Sequence, residues 1–359
     1  MRVMTRLKVI LLALVCLHQL TSQGRSQEQF KDLFSSDGDL IQARVLQVKG
    51  GKVALIRKKD GRKFTVPLER FDKSTRAMLE SGEVFTTDGV GNPTNRKLYP
   101  RNRDAIAGAI DAIEGAAQAQ AQFPQEHRQA LASLNAYRYL CGLPYQVILD
   151  QGLCEGARKA AAGCAGIGRL SHEVNAEAGK CNLHSGIGLA DSIHGYMNDN
   201  GASNRSDRAH RQWCLSPRLG KLGIGKQGKF SAMWTMDKSG PQPRYADDFF
   251  AYPSRGFFPV RYLKAGTAWS VYFPGGKLPP KDQVELKVFK LNKALVKAPT
   301  GTSAPPNSTE VPINYLSTSR WVMPCINFEP AAEVAPGKRY WVSVKAGDAS
   351  AGYLVEFVK

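Results

Sequence analysis

Acid is scarce in this chain: 31 Asp+Glu stand against 49 Lys+Arg over 359 residues, for a formal charge of +18. That imbalance favours anionic surroundings. Long apolar runs are also missing. The stretch Val9 to Leu17 is only nine residues, whereas a bilayer-spanning helix needs about 20, so no membrane span is expected. Local catalytic signatures are absent too. There is no HExxH pair, no Cys-x-x-Cys, no Gly-x-Ser-x-Gly elbow and no Gly-Lys-Ser/Thr phosphate loop. The usual marks of zinc proteases, structural zinc sites, serine hydrolases and nucleotide hydrolases are therefore not written in the sequence. What is present argues for folding. At 43% apolar and 9% aromatic residues the chain is no disordered tail, and at about 100–200 residues per domain its length permits two or three cores.

Arg2, Arg6 and Lys8 give a positive start, the short apolar run follows, and polar Thr21 to Gln27 closes the segment. This is the layout of a secretory signal peptide over residues 1–27. It places the mature protein outside the cytoplasm: secreted, extracellular or in the cell envelope (periplasm). Apart from Cys16, six cysteines remain: Cys141, Cys154, Cys164, Cys181, Cys214 and Cys325. An even number in an exported chain leads to an expectation of disulfides. Cys154 and Cys164 cannot pair if Asp150 to Ala165 is one helix, because ten residues separate them by about 15 Å against a limit of about 7 Å.

Three regions follow. Leu40 to Val48 and Val53 to Arg57 read as strands around Gly50-Gly51, and Asp60-Gly61 turns the chain again before Phe64-Thr65-Val66. Such turns between apolar runs predict hairpins. Asp72 or Ser74 is placed to cap a short helix. Between Arg44 and Arg76 eleven basic residues face three acids, Asp60, Glu69 and Asp72. The partner expected for this basic face is a protein or an anionic envelope polymer. Nucleic acid is not expected, since no base-stacking aromatic motif accompanies the charge. Residues 83–122 read as a linker carrying an Ala/Gln-rich helix with Ile106, Ile110, Ile113 and Ala117 on one stripe. Residues 123–240 mix helices and short strands. Residues 241–359 alternate as β-strands with Pro and Gly punctuation, which predicts a sandwich of immunoglobulin-like type.

Asp37 to Leu79 resembles the Sla homology domain 1, on Ala43-Arg44-Val45, Gly51-Lys52-Val53-Ala54-Leu55, Asp60-Gly61-Arg62 and Val66-Pro67-Leu68-Glu69-Arg70-Phe71. The resemblance covers residues 28–82 as a domain and implies a small SH3-like β-barrel that acts as a protein-binding module.

In the middle region the order of motifs is also familiar. It runs through Leu134-Asn135-Ala136-Tyr137-Arg138, Gly142-Leu143-Pro144, Leu170-Ser171-His172, Tyr196-Met197-Asn198-Asp199, His210-Arg211, Leu215-Ser216-Pro217-Arg218-Leu219 and Leu222-Gly223-Ile224-Gly225. This set resembles the CAP superfamily of cysteine-rich secretory, antigen-five and pathogenesis-related proteins, also called SCP-like. The resemblance implies an α-β-α sandwich with a cleft whose histidines bind zinc or another divalent metal beside acidic residues. His172 falls on the first cleft histidine and His210 on the second. The family's cleft glutamate is replaced by Cys181, which the resemblance allows either as a third metal ligand with His172 and His210 or as a disulfide partner of Cys214. Asp207, three residues before His210, is the carboxylate candidate, with Glu173 and Glu177 behind it. Ala202 to Arg208 reads as an insertion.

Together these observations predict a multidomain protein: barrel, CAP-type α+β sandwich, C-terminal β-sandwich. The function expected is that of an extracellular or envelope binding module for protein, lipid or anionic polymer, since loss of the cleft glutamate removes an obvious general base. The alternatives are a metal-dependent hydrolase or peptidase built on His172 and His210, and a structural surface protein with a vestigial cleft.

Overall fold

The computed structural model describes residues 31–37, 39–72, 75–76, 79–80, 103–186, 188–240, 249–274, 276, 279–292, 304–347 and 349–359. Residues 1–27, read from sequence as a signal peptide, and residues 82–97, read as a connection, lie outside the described residues. The chain divides into two compact units, one at its front and one that takes in the described residues from Arg103 onward.

The front unit is an antiparallel sheet of β1 (Lys31–Phe34), β2 (Leu40–Lys49), β3 (Lys52–Arg57) and β4 (Lys63–Pro67), in that spatial order. Gly50 and Gly51, at φ 58° and 71°, make the tight turn between β2 and β3, a conformation that a Cβ would strain. At the next turn Asp60 accepts from Arg57 Nε at 3.1 Å and from the Arg62 amide at 3.2 Å. Alternation along the strands turns Leu33, Ala43, Val53 and Leu55 inward, where they meet Leu68, Phe71 and Leu79. A bridge between Ser35 and Phe71 ties the segment after β4 back to the end of β1, so the sheet curls. Asp72 caps the following helical turn by accepting the Thr75 amide at 2.5 Å. Lys52, Lys58, Lys59, Arg62 and Lys63 are left exposed.

In the second unit a four-stranded sheet holds β5 (Ile148–Leu149), β7 (Lys221–Gln227), β8 (Phe230–Trp234) and β6 (Cys181–Ser185), in that order. Helix α3 (Gln151–Ile167) covers one face with Ala157, Ala160, Ala161 and Cys164, against Cys181, Leu183, Phe230 and Ala232. Asp150 starts this helix by accepting the Leu153 amide at 3.1 Å, and left-handed Gly168 ends it. The opposite face, with Leu222, Ile224 and Met233, shares a core with α2 (Gln125–Leu140) and α4 (Leu189–Asn198). The sheet is therefore flanked by helices on both sides. Helix α1 (Arg103–Gln118) buries its stripe of Ile106, Ile110, Ile113 and Ala117 in that same core, so it packs on a neighbour and is no free spacer. A short α5 (Ala209–Cys214) follows α4.

The C-terminal strands form two sheets. One runs β10 (Gly256–Pro259), β17 (Ala349–Val358), β16 (Arg339–Ala346), β12 (Val284–Leu291), β13 (Ser308–Val311); the other runs β14 (Ile313–Ser319), β15 (Cys325–Pro330), β11 (Trp269–Tyr272), β9 (Phe250–Tyr252). All pairs are antiparallel except β10 with β17. Trp269, on the second sheet, meets Tyr340 and Phe357 of the first edge-on at 5.7 and 5.9 Å between ring centroids, which packs the sheets face to face. This aromatic core is continuous with that of α1, α2 and α4. The fold is thus β-rich and multi-sheet, with several antiparallel sheets. Among the described residues no helix is long and apolar enough to cross a membrane.

Candidate functional site

Strand β6 alternates, so Cys181 and Leu183 face α3 while Asn182 and His184 face the other way. On that other side α4 ends at Asp199, which sits in the left-handed region at φ 47° and folds its 1% exposed side chain onto the start of α5. Its Oδ2 accepts the His210 amide at 3.0 Å, and its Oδ1 lies 2.9 Å from His210 Nδ1. A carboxylate can only accept, so Nδ1 carries the proton in this bond and Nε2 is left to meet a ligand. The His210 side chain is 21% exposed. Asn182 Nδ2 donates to the His210 carbonyl at 3.0 Å, and Tyr196 Oη donates to the Asn182 carbonyl at 3.1 Å. The Tyr196 ring then stands between two imidazoles, with centroids 5.9 Å from His184 and 5.5 Å from His210. Asn204 Nδ2, from the segment read as an insertion, lies 3.2 Å from His210 Nδ1, a contact between two N–H groups once Nδ1–H is committed to Asp199.

The residues singled out from sequence do not meet as a set. His172 is exposed, its Nδ1 is 3.0 Å from the Ala178 carbonyl, and its loop packs through Val174 and Ala178 on the α3 side of the sheet. No hydrogen bond, ion pair or ring contact joins it to His210. The Cys181–Cys214 disulfide is not formed, and all six cysteines are free. Strand alternation explains it: Cys181 lies in the cluster under α3, whereas Cys214 lies in the cluster on the opposite face. Burial pushes the Cys181 thiol up to about 12, with Glu177 adding to the effect, and raises Cys214 further. Among the described residues no group of three His, Cys, Asp or Glu is placed to hold a metal. Asp207 turns away as well. Its carboxylate accepts from Ser206 Oγ at 2.9 Å, and its carbonyl accepts from Gln212 Nε2 at 2.6 Å. Glu173 is exposed and Glu177 half-buried beside the same loop. The His210 ring has Asp199 and Tyr196 beside it.

Burial lowers the pKa of His127, His184 and His194, and the neighbouring His210 lowers that of His184 further. Each folded value lies below the unfolded value of about 6.5, so the unfolded chain takes up protons first as pH falls. The stability this confers is full above about pH 6.5 and is lost on acidification through the lower folded values. Thermal melts from about pH 7.5 to about pH 5 should show a falling Tm. His194→Gln, which keeps a polar group near Tyr137 Oη, now 2.8 Å from His194 Nδ1, should flatten that slope. An unchanged slope in this variant would contradict the assignment.

No family model matches the chain, and neither a curated protein nor a solved structure matches it.

Proposed function

We propose that this chain is a secreted, non-enzymatic binding protein of the extracellular space or cell envelope. Its middle region works as a CAP-type module with a histidine-lined recognition patch. The observation that carries this is the Asp199-held imidazole of His210, presenting Nε2 beside Tyr196 and His184. A ring fixed by a carboxylate and open on its far nitrogen is a ready hydrogen-bonding group for a polar ligand. The order of motifs and a sheet flanked by helices on both faces support the CAP-type assignment. The Asp207 carboxylate is taken up by Ser206 Oγ at 2.9 Å, which favours binding over hydrolysis.

The front unit serves as an SH3-like, Sla homology domain 1-like adaptor for a protein or an anionic envelope polymer. Asp60 is engaged by Arg57 and Arg62, while Lys52, Lys58, Lys59 and Lys63 stay exposed for that contact. A lipid is the further ligand class for the middle module.

Zinc is a suitable probe of the patch, because two imidazoles alone hold it weakly and measurably. Calorimetric titration of the full chain should show weak binding that falls at least tenfold in both His184→Ala and His210→Ala and is unchanged in His172→Ala. If His172→Ala loses as much as His210→Ala, the patch is wrongly placed and the His172–His210 pairing is restored.

A further inference from the structure

The segment Asp199 to Arg208 carries the site and is bracketed by two non-glycine residues in the left-handed region, Asp199 at φ 47° and Arg208 at φ 50°. Such conformations persist only where the surroundings hold them. The holding group on this segment is the Arg208 side chain. It is 1% exposed, and its guanidinium donates back to the Asp199 carbonyl and to Asn200 Oδ1. Its remaining arm leaves the helical region altogether: Nη2 donates to Glu329 Oε1 at 2.5 Å. Glu329 lies on β15 of the C-terminal sandwich, and its two oxygens also take Arg205 Nε at 3.1 Å and Nη2 at 2.7 Å.

Further bonds tie the same sandwich to this segment and to α5. Asn327 Nδ2 donates to the Ser206 carbonyl at 3.0 Å and Ser317 Oγ to the same carbonyl at 2.7 Å. Gln212, fully buried on α5, donates to Ser319 Oγ at 2.9 Å and accepts the Val322 amide at 2.9 Å. These bonds hold polypeptide in place. The Glu329–Arg208–Asp199 line is different from these: it ends on the carbonyl of the carboxylate-bearing residue that orients the imidazole.

We propose that Glu329 is a positioning residue for the Asp199–His210 pair, acting through Arg208, so that the C-terminal sandwich completes the recognition patch of the middle module. Taking the anion from a buried, ion-paired guanidinium leaves an uncompensated charge at high cost, and Glu329 is the carboxylate bonded to Arg208. Without that anion Arg208 is drawn toward water, the Asp199 carbonyl loses its donor, and Asp199 is free to leave the left-handed conformation that aims its carboxylate at His210.

This inference rests on the role given to His210 above, and its test needs no ligand. In the full-length chain, nitrogen-15 NMR of the His210 ring reports the tautomer. The wild type should hold the proton on Nδ1. Glu329→Gln, near-isosteric and uncharged, should release it to a mixture of the two tautomers, and Glu329→Asp should restore part of the Nδ1 preference. Arg205→Ala, which removes only the more exposed partner of Glu329, should keep the wild-type tautomer. Arg208→Lys gives a second route if Glu329→Gln folds poorly: it retains charge, loses the fork, and should give the mixed tautomer. In parallel, zinc affinity should fall about tenfold in Glu329→Gln, the effect typical of removing an outer support of a histidine ligand. If Glu329→Gln and Arg208→Lys keep the wild-type tautomer while Tm drops, Glu329 is structural only and the inference fails. If the wild type binds no zinc yet the tautomer responds as described, the recognition patch is refuted and the positioning role stands.

Discussion

Replacing Arg138 with alanine should destabilise the second unit by about 3–5 kcal/mol, the range for removing a fully buried, fully bonded ionic group. Its guanidinium, 0% exposed, donates to the carbonyls of Pro144 at 2.7 Å and of Cys214 and Ser216 at 2.8 Å each. It thereby satisfies chain reversals after α2 and α5 that have no sheet or helix partner for these oxygens. An alanine takes this donor from the Pro144 and Cys214 carbonyls, at about 1–3 kcal/mol each before relaxation, while the Ser216 carbonyl keeps the Leu219 amide at 3.2 Å. Against a whole-domain stability of about 5–15 kcal/mol the variant should unfold at much lower urea. Lysine should recover little, because a single ammonium cannot reproduce a planar fork reaching three oxygens. Equilibrium unfolding measures this directly, and a loss under about 1 kcal/mol would sink the argument.

Gly223→Ala should be nearly as damaging, at about 3 kcal/mol, the upper part of the range for overpacking. A Cβ at Gly223 would lie 2.1 Å from the Leu153 carbonyl oxygen, and one at Gly225 would lie 2.3 Å from the Arg158 nitrogen. Both obstacles are the backbone of α3, which cannot swing aside as a side chain can. The helix must lift off β7, and amide exchange along α3 should lose protection relative to α2. Gly108→Ala is the control. A Cβ there meets nothing within 4 Å on α1, so this change should be neutral or stabilising by up to about 1 kcal/mol. Equal losses from both substitutions would show that glycine content, and not the close approach of helix to strand, sets the cost.

These two cases also show what can be read without coordinates. The glycine pair in Leu222-Gly223-Ile224-Gly225 sits at alternate positions of a strand, so both hydrogens must share one face, and a close neighbour there is expected. The hairpins of the front unit are equally open to reading, because Gly50-Gly51 and Asp60-Gly61 declare their turns by chemistry that no other residues supply as readily. Of the candidates named from sequence, His210 is the one that the proposed patch uses. Asp199 went unseen because its partner lies eleven residues on, across a loop whose path depends on a left-handed turn and on a carboxylate from β15. His184 was open to reading in hindsight: it follows Asn182 by two on a strand, which places it on the face away from Cys181. The same alternation puts Cys181 in the cluster under α3. A family position suggests a role, but the strand's alternation decides which side the sulfur takes.

One shared feature of the second unit bears on how the chain is made. The apolar surface of α1, α2 and α4 is closed by residues as late as Val355 and Phe357, and the buried Arg211 finds Ser270 Oγ at 2.7 Å as one of its acceptors. While the ribosome is still adding these residues, the helices have already emerged with that surface uncovered. Nascent material must therefore wait, shielded or at risk of clumping, until the strand that carries Val355 and Phe357 has been made. Expressing the middle third alone should recreate that waiting state permanently.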